Sequence, residues 1–309
     1  MKKIAMVFPG YGSQFVGMAK DLYDESRLVQ EHFEQASNCL DNNFIKLCFA
    51  SSDVELSKMH NTFPALFLVG ASIFDVLKQE GIKPDIVAGY NTGHYAAMYA
   101  SGSLSLPDGL YLTNKYALLY REYLDNNKLE VLNVSGIEAY QLEKLCKKYS
   151  TKVKKAHIAL YKTKKAHVII GSKEIVDTIN REVMDLEGVT ESIGAEIGLH
   201  SDELQEVANS FSMYCEKVDF KDSQIPLLSS HDVNEVVLSS LMKTSAIEHI
   251  VKPVLWMSVI EKLSSYDLFI EIGPGTYLRD MMKEQYPKIN AISINKLEDI
   301  QELKKIIND

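Results

Sequence analysis

The chain has 309 residues, of which 46% are hydrophobic and 24% charged, with a formal net charge of −9 and a sequence pI of about 5.5. This composition is typical of an ordinary globular protein, and the length suits about two domains, or one large domain that carries an insert. An acidic chain does not offer the clustered basic face that nucleic-acid binding needs, so we expect no nucleic-acid partner.

The cysteine spacing has no C-x-x-C pair and no neighbouring histidine ladder, so it predicts neither a metal site nor a disulfide framework. We expect reduced core thiols at all four positions, Cys39, Cys48, Cys146 and Cys215. Pro9 interrupts the short basic start of the chain, and no run reaches the roughly 18 apolar residues of a membrane span. We therefore expect no leader, no membrane partner and a cytoplasmic protein.

The first half of the chain alternates buried strands with helices. Residues 3–8 form an apolar run that stops at the glycine-rich segment 9–13, a pattern typical of a strand that enters a loop. Helical patterns follow at 28–40 and 64–80. A second apolar run, Ile86–Gly89, then turns sharply into a helix, which predicts a strand, a tight turn and a helix.

The middle of the chain changes pattern near Leu129. A β-like run at 129–134 is followed by helical and β-like segments that predict a small split βαβ insert, namely 138–149, 157–160, 168–170 and 173–186. Short apolar strands return at 226–229 and 268–272. The sequence therefore predicts an α/β layered fold with a small α+β insert.

The segment from Ala88 to His94 has the spacing of a nucleophile elbow. Gly89 and Gly93 flank position 91, and such glycines permit a strained strand-to-helix turn that presents one side chain to a cleft. A serine at the apex would be the nucleophile, but this chain has Asn91. The alternative is that the two glycines only allow close packing of helix against sheet.

Five segments in order resemble the signature blocks of malonyl-CoA:acyl-carrier-protein transacylases and related acyltransferases of fatty-acid and polyketide synthesis. They are Phe8–Gln14, which resembles F-P-G-Q-G-S-Q, Gly89–Gly102, which resembles G-H-S-L-G-E-Y-A-A-L-x-A-x-G, Leu199–Ser201 (F-H-S), Pro253–Trp256 (P-V-x-W) and Glu271–Gly275 (E-I-G-P-G). The resemblance implies an α/β-hydrolase-like large domain, residues 1–127 and 199–309, with an inserted ferredoxin-like α+β small domain, residues 128–198.

The resemblance also implies a mechanism and partners. In that family an elbow serine takes an acyl group from coenzyme A and passes it to the phosphopantetheine thiol of an acyl carrier protein, while a histidine activates the serine and backbone N–H groups hold the oxyanion. His200 occupies the general-base position; its alternative is a buried structural histidine. Acyl-CoA and phosphopantetheine would be substrates, and no bound cofactor is expected.

The other functional positions depart from the family pattern together. Asn91 replaces the serine, and His94 replaces the glutamate of the elbow. Lys115 falls near the arginine that grips malonate. We take as substrate-binding candidates the positions Lys115, Tyr11 (for glutamine), Tyr90 (for histidine), Thr92, Phe63 (for glutamine) and His249 (for glutamine).

These departures predict altered chemistry. An amide has no ionisable proton and is a very poor nucleophile, so Asn91 should not form the usual acyl-enzyme. Lysine keeps the positive charge of arginine but loses its two-pronged fork, so Lys115 should select malonate less strictly. Tyr11 and Phe63 would make the cleft less polar, or they are core residues. Thr92 is the only hydroxyl inside the elbow, and its geometry should aim it away from the cleft.

A basic cluster lies in the insert, at Lys152, Lys154, Lys155, Lys162, Lys164 and Lys165. It is either a solvated loop or a docking surface for an acidic carrier protein or the phosphates of coenzyme A.

Three hypotheses follow. The protein is a non-catalytic homologue that binds an acyl thioester, a carrier protein or an active acyltransferase or synthase paralogue; or it is an active acyl-carrier-protein S-malonyltransferase or acyl-thioester hydrolase with an unusual site; or it carries an engineered serine-to-asparagine change at the apex. In each case the side chains of Asn91 and His200 should lie within hydrogen-bond reach, directly or through one water.

Overall fold

The computed structural model describes residues 2–195 and 200–308, and its strands form two separate sheets. The strands of the described chain are β1 (Ile4–Phe8), β2 (Ile86–Gly89), β3 (Leu129–Ser135), β4 (Ala156–Thr163), β5 (Ala166–Ser172), β6 (Val189–Ile193), β7 (Leu227–Leu228), β8 (Glu235–Val236), β9 (Leu268–Ile272) and β10 (Asn290–Ile294).

The helices surround these sheets. They are α1 (Lys20–Glu25), α2 (Arg27–Leu40), α3 (Phe44–Ala50), α4 (Asp53–Leu56), α5 (Met59–Gln79), α6 (Gly93–Ser101), α7 (Leu106–Asn126), α8 (Ala139–Tyr149), α9 (Lys173–Asp185), α10 (Gln205–Cys215), α11 (Ser239–Val251), α12 (Trp256–Leu263), α13 (Tyr277–Gln285) and α14 (Leu297–Asn308).

The first sheet has six strands in the order β10-β9-β1-β2-β7-β8. All neighbouring pairs are parallel except β7 with β8, which is antiparallel. Strands β1, β2 and β9 are buried along their whole length, as expected for parallel strands covered on both faces. The carboxyl ends of β1 and β2 therefore meet at one edge, where the glycine-rich loop and the elbow begin.

The second sheet is antiparallel, in the order β4-β5-β3-β6, and its strands all lie between residues 129 and 193. Helices α8 and α9 pack on it over a separate apolar cluster. Outside the two sheets, β4 pairs with Val254, which precedes α12; the N–H of Val254 donates to the carbonyl of Ala159 at 2.9 Å, and its carbonyl accepts from the N–H of Tyr161 at 2.9 Å. This contact positions β4 against the first residues of α12 and, with them, against the elbow.

Helix α5 is a core helix. It is long and apolar enough, by length and composition, to cross a membrane, but 89% of its most apolar window is buried inside the protein. Helices that are apolar around their full circumference are buried in this way in large proteins. α5 packs between α2, α6 and α7, so it supports the elbow helix from behind.

Glu271, the acidic residue of the Glu271–Gly275 segment, has a structural role. Its carboxylate is fully buried and accepts hydrogen bonds from the N–H groups of Leu278 and Arg279, both at 3.1 Å, and from the Ser293 hydroxyl at 2.8 Å. It therefore caps the first turn of α13, where an anion is favoured. Burial raises the pKa of this carboxyl, and the three donors oppose that shift.

The structure departs from the sequence expectations in its strands and in one cysteine. Strands β6, β8 and β10 were not predicted, because they are short or partly exposed and lack a clear apolar run. Cys39 is exposed, which corrects the expectation of four core thiols, although the other three are buried. The domain boundaries at 127/128 and 198/199 stay a prediction, and Leu199 of the third signature segment lies outside the described residues.

We predict that Gly93→Ala lowers the free energy of unfolding by about 3 kcal/mol, because the added Cβ would lie 2.2 Å from the carbonyl oxygen of Phe8. The matched control is Gly81→Ala, where φ is +78° but no atom lies within 4 Å of the added Cβ. It should cost about 1 kcal/mol, from backbone strain alone. Urea unfolding measures both; equal losses for the two variants would contradict the close approach of α6 to β1.

Candidate active site

The elbow residue Asn91 connects β2 to α6 in a left-handed conformation. Its φ is 52°, a region that asparagine tolerates better than most side chains. The turn is tight on every side: a Cβ on Gly89 would meet the N–H of His94 at 2.2 Å, and one on Gly10 would meet the carbonyl of Tyr90 at 2.5 Å. The glycines that suggested the elbow are therefore required by the close approach of three backbone segments.

The Asn91 side chain is a bridge between two groups of the site. Its Nδ2 lies 3.1 Å from Nε2 of His200, and its Oδ1 accepts a hydrogen bond from the N–H of Thr92 at 2.7 Å. The predicted contact between Asn91 and His200 is thus present. Both residues are 1% exposed, so the pair is buried.

The tautomer of His200 follows from its neighbours. Nδ1 lies 2.5 Å from the carbonyl oxygen of His249, which can only accept, so Nδ1 carries the proton. The other nitrogen, Nε2, then has the lone pair and accepts from the Asn91 amide. This is the tautomer that a general base needs, but the proton it meets belongs to an amide, which His200 cannot remove.

His249 forms hydrogen bonds with both Asn91 and His200. Its Nε2 donates to the backbone carbonyl of Asn91 at 2.7 Å, and its Nδ1 faces the Ser230 hydroxyl at 3.4 Å. The ring is fully buried. His249 therefore contacts both His200 and the strained turn, and its assignment as a substrate-binding residue stays a prediction.

His94 completes a buried histidine cluster. Its ring stacks on that of His249, with centroids 4.3 Å apart and planes at 14°, and its Nε2 lies 3.1 Å from the Ser245 hydroxyl. His231 lies at the edge of the cluster, between the Ser229 hydroxyl at 3.2 Å and the Glu248 carboxylate at 3.3 Å. Within residues 2–195 and 200–308, no group of three or more histidine, cysteine, aspartate or glutamate side chains is arranged to hold a metal ion.

Burial keeps the histidine cluster neutral. It lowers the pKa of His94 to about 3 and that of His200 to about 4, and the neighbouring His231 adds to both shifts. The pKa of His249 lies well below its ordinary value for the same reason, with further lowering by His94 and His200. The free base form of His200 therefore prevails at neutral pH.

The backbone N–H groups beside the apex are engaged by the chain itself. In nucleophile elbows the N–H of the residue after the apex, with an N–H from a neighbouring loop, forms the oxyanion hole. Here the N–H of Thr92 donates to Asn91 Oδ1, and the N–H of Tyr11 donates to Thr92 Oγ1 at 3.1 Å. The Thr92 hydroxyl is thus turned toward the loop after β1.

Phe63 and Tyr11 form an aromatic layer behind the apex. Phe63 is 1% exposed and contacts Tyr11 and Tyr116, with ring centroids 6.0 and 5.4 Å apart. The Tyr11 hydroxyl points away from the elbow and donates to the carbonyl of Ser57 at 2.8 Å. Of the two interpretations of Phe63, core packing is the one that the structure supports.

Lys115 lies away from the elbow. Its ammonium is 5.7 Å from the ring centroid of Tyr111 and 5.4 Å from that of Tyr214. The following residue on α7, Tyr116, is the one that points inward. The helix turns the Lys115 side chain toward α10, and the expectation that it offers its charge to a malonyl carboxylate stays a prediction.

Tyr90 borders a cavity of about 270 Å³ between the two sheets. Its ring packs on Trp256 and Tyr277, with centroids 5.1 and 6.1 Å apart. Burial raises the pKa of the Tyr90 phenol, so the hydroxyl is neutral. The cavity is lined by Pro9, Gly10, Tyr11, Gly12, Ser13, Tyr90, Asn133, Leu160, Lys162, Val168, Ile193 and Tyr277. A second cavity, of about 480 Å³, reaches His200 from the side of His157 and Asp202.

The basic cluster divides in the structure. Lys154 pairs with Glu174, and Lys155 lies 3.6 Å from Asp202. Lys164 and Lys165 are exposed in the turn between β4 and β5. Lys162 alone among the six lines the Tyr90 cavity, so the cluster is not one continuous basic surface.

Sequence reasoning missed the residues that support the site from α11 and the preceding loop, Ser229, Ser230, His231 and Ser245, and also Tyr277 on α13. One signal was available for the histidine cluster, since His94 and His249 both replace residues of the family pattern. The serines carry no such signal, because short polar residues are common at loops and helix starts.

The comparisons with known proteins agree with this architecture. Residues 5–302 match the family model of the acyl transferase domain, so the chain belongs to this acyltransferase family. It is 28% identical over 305 residues to the malonyl CoA-acyl carrier protein transacylase of Bacillus subtilis (strain 168), with 97% of this chain and 96% of that protein covered. It is 27% identical over 304 residues to the protein of the same name from Staphylococcus aureus (strain MRSA252), with 97% and 98% covered.

Solved structures confirm the predicted fold class. The malonyl CoA-acyl carrier protein transacylase of Coxiella burnetii superposes with a TM-score of 0.94 at 24% identity, over 98% of this chain and 97% of that chain. A malonyl-transacylase solved in complex with a type II PKS acyl-carrier protein superposes with a TM-score of 0.93 at 22% identity, over 99% and 100%.

We predict that acid weakens the fold through the buried histidines. An unfolded histidine has a pKa of about 6.5 and the buried ones have lower values, so the unfolded chain binds more protons below pH 6.5. The free energy of unfolding should therefore fall between pH 7 and pH 5, and His94→Gln should reduce the slope by up to about 1.4 kcal/mol per pH unit.

The control for this prediction is His60→Gln, since the His60 ring is partly exposed and lies outside the cluster. Urea unfolding at several pH values measures the slope. Parallel pH dependences for the wild type and His94→Gln would contradict a neutral buried cluster.

Proposed function

We propose that this chain is a malonyl-CoA:acyl-carrier-protein transacylase-like protein of fatty-acid or polyketide synthesis that binds acyl thioesters and their carrier protein without forming an acyl-enzyme at position 91. The observation that carries this proposal is the Asn91 amide bridge, with Oδ1 on the N–H of Thr92 and Nδ2 on Nε2 of His200. The side chain at the nucleophile position thus occupies both groups that would perform the chemistry.

The chemistry of the amide supports the absence of acylation. The nitrogen lone pair of a carboxamide is delocalised onto its oxygen, and the group has no proton that a histidine can take. The carbonyl of a bound thioester would also have to displace Asn91 Oδ1 from the N–H of Thr92 before its oxyanion could be stabilised. Position 91 therefore lacks a nucleophile, and the Asn91 amide engages both the histidine and the oxyanion donor that would assist one.

Similarity to known proteins supports the ligand class. Full-length relatives carry the name malonyl CoA-acyl carrier protein transacylase, and one structural neighbour was solved with an acyl-carrier protein. The matched architecture supports acyl-CoA and an acyl carrier protein as the partners of this chain. An active acyltransferase or synthase paralogue remains a proposed further partner.

We predict that the wild-type protein binds malonyl-CoA but gives no malonyl or acetyl adduct. Asn91→Ser should give only slow acylation, because the surroundings of His200 are changed; misplacement of reacting groups costs about 10²-fold in rate. Isothermal titration measures binding, and intact-mass spectrometry after incubation with malonyl-CoA or acetyl-CoA measures adducts.

Asn91→Ala is the matched control, since it removes the amide bridge without supplying a hydroxyl and should stay unacylated. A robust malonyl adduct on the wild type, or malonyl transfer to a carrier protein, would favour the active-enzyme alternative. Efficient, malonyl-selective transfer by Asn91→Ser would show that position 91 is the only altered part of the site.

A further inference from the structure

The Tyr90 cavity holds one charged side chain among its described lining residues, Lys162. Its Nζ donates to Oδ1 of Asn133 at 2.9 Å and lies 5.7 Å from the ring centroid of Tyr277. An amide oxygen and an aromatic face stabilise a cation without neutralising it, and an ammonium group has three N–H donors. No carboxylate is among the described residues that line this cavity. Its interior therefore carries positive charge.

The remaining walls of the cavity are apolar or aromatic. Leu160, Val168 and Ile193 come from the second sheet, and Tyr90 and Tyr277 from the elbow side. A few polar groups in a mainly apolar concave wall are the common design of a small-molecule site. The volume, about 270 Å³, is at the small end of such sites, so it suits the acyl end of a thioester better than a whole coenzyme.

We propose that Lys162 binds the free carboxylate of an acyl thioester that carries one, and thereby selects a dicarboxylic half-thioester over an uncharged acyl group. This inference rests on the proposed function, because it assumes that acyl thioesters enter the cleft beside Tyr90. Lys115, which falls near the family's arginine, has its ammonium beside Tyr111 and Tyr214 and is not among the described residues that line this cavity.

The test compares three ligands by isothermal titration: malonyl-pantetheine, which has the carboxylate but no phosphate; acetyl-pantetheine, which has neither; and 4′-phosphopantetheine, which has only the phosphate. The wild type should bind malonyl-pantetheine about tenfold more tightly than acetyl-pantetheine, because one charge-assisted hydrogen bond distinguishes them. Lys162→Met should abolish this preference, so that the ratio of the malonyl-pantetheine to the acetyl-pantetheine affinity falls to about one. Lys162→Arg should retain part of the preference, which keeps the test valid where the methionine variant is unstable.

The matched control is Lys164→Met, which removes the same charge from the exposed turn two residues away and should leave all three affinities unchanged. Three results would overturn the inference: a malonyl preference that persists in Lys162→Met, no preference in the wild type, or a loss confined to 4′-phosphopantetheine, which would assign Lys162 to a phosphate. A covalent adduct on the wild type refutes the proposed function instead, and it leaves the malonyl-to-acetyl ratio as the separate measure of Lys162.

Discussion

The left-handed turn at Asn91 is the constraint on which the rest of the site depends. At φ 52° the residue is held between β2 and α6 by the close approach of Gly10, Gly89 and Gly93 and by the hydrogen bond from His249 Nε2 to its carbonyl. Strain of this kind persists only where the surrounding structure fixes it. Because the apex is fixed, the Asn91 amide reaches the N–H of Thr92 on one side and His200 on the other, and the site is closed by its own side chain.

The same constraint organises a buried, uncharged network of histidines around the elbow. His249 contacts three groups. Its Nε2 donates to the carbonyl of Asn91, its own carbonyl accepts a hydrogen bond from Nδ1 of His200, and its ring stacks on that of His94. Tyr95 packs edge-on against the His249 ring, and Tyr116 packs against Tyr95. A buried polar network is stabilising only when its members are satisfied. Among the described residues, Nδ1 of His94 is an atom of this network that has no hydrogen-bond partner.

Much of this fold could be predicted from the sequence, but only part of the site. The apolar runs of β1, β2 and β9 and the change of pattern near Leu129 are periodic signals, and the elbow glycines report a backbone requirement directly. The inward and outward faces of α7 could not be predicted, because Lys115 and Tyr116 differ by one residue and the packing of α10 decides which one points inward. The contact of His249 with His200 could not be predicted either, because it is made by the backbone carbonyl of His249, which every residue type has.

The measurement that tests this account most directly is the protonation state of the His200 imidazole by long-range ¹H–¹⁵N correlation in histidine-labelled protein. We predict a neutral ring at pH 6 with the proton on Nδ1 and a hydrogen-bonded lone pair on Nε2, whose nitrogen shift changes in Asn91→Ala. A proton on Nε2, a charged ring at pH 6, or an Nε2 shift that is the same in Asn91→Ala would contradict the claim that the Asn91 amide donates to Nε2 of His200.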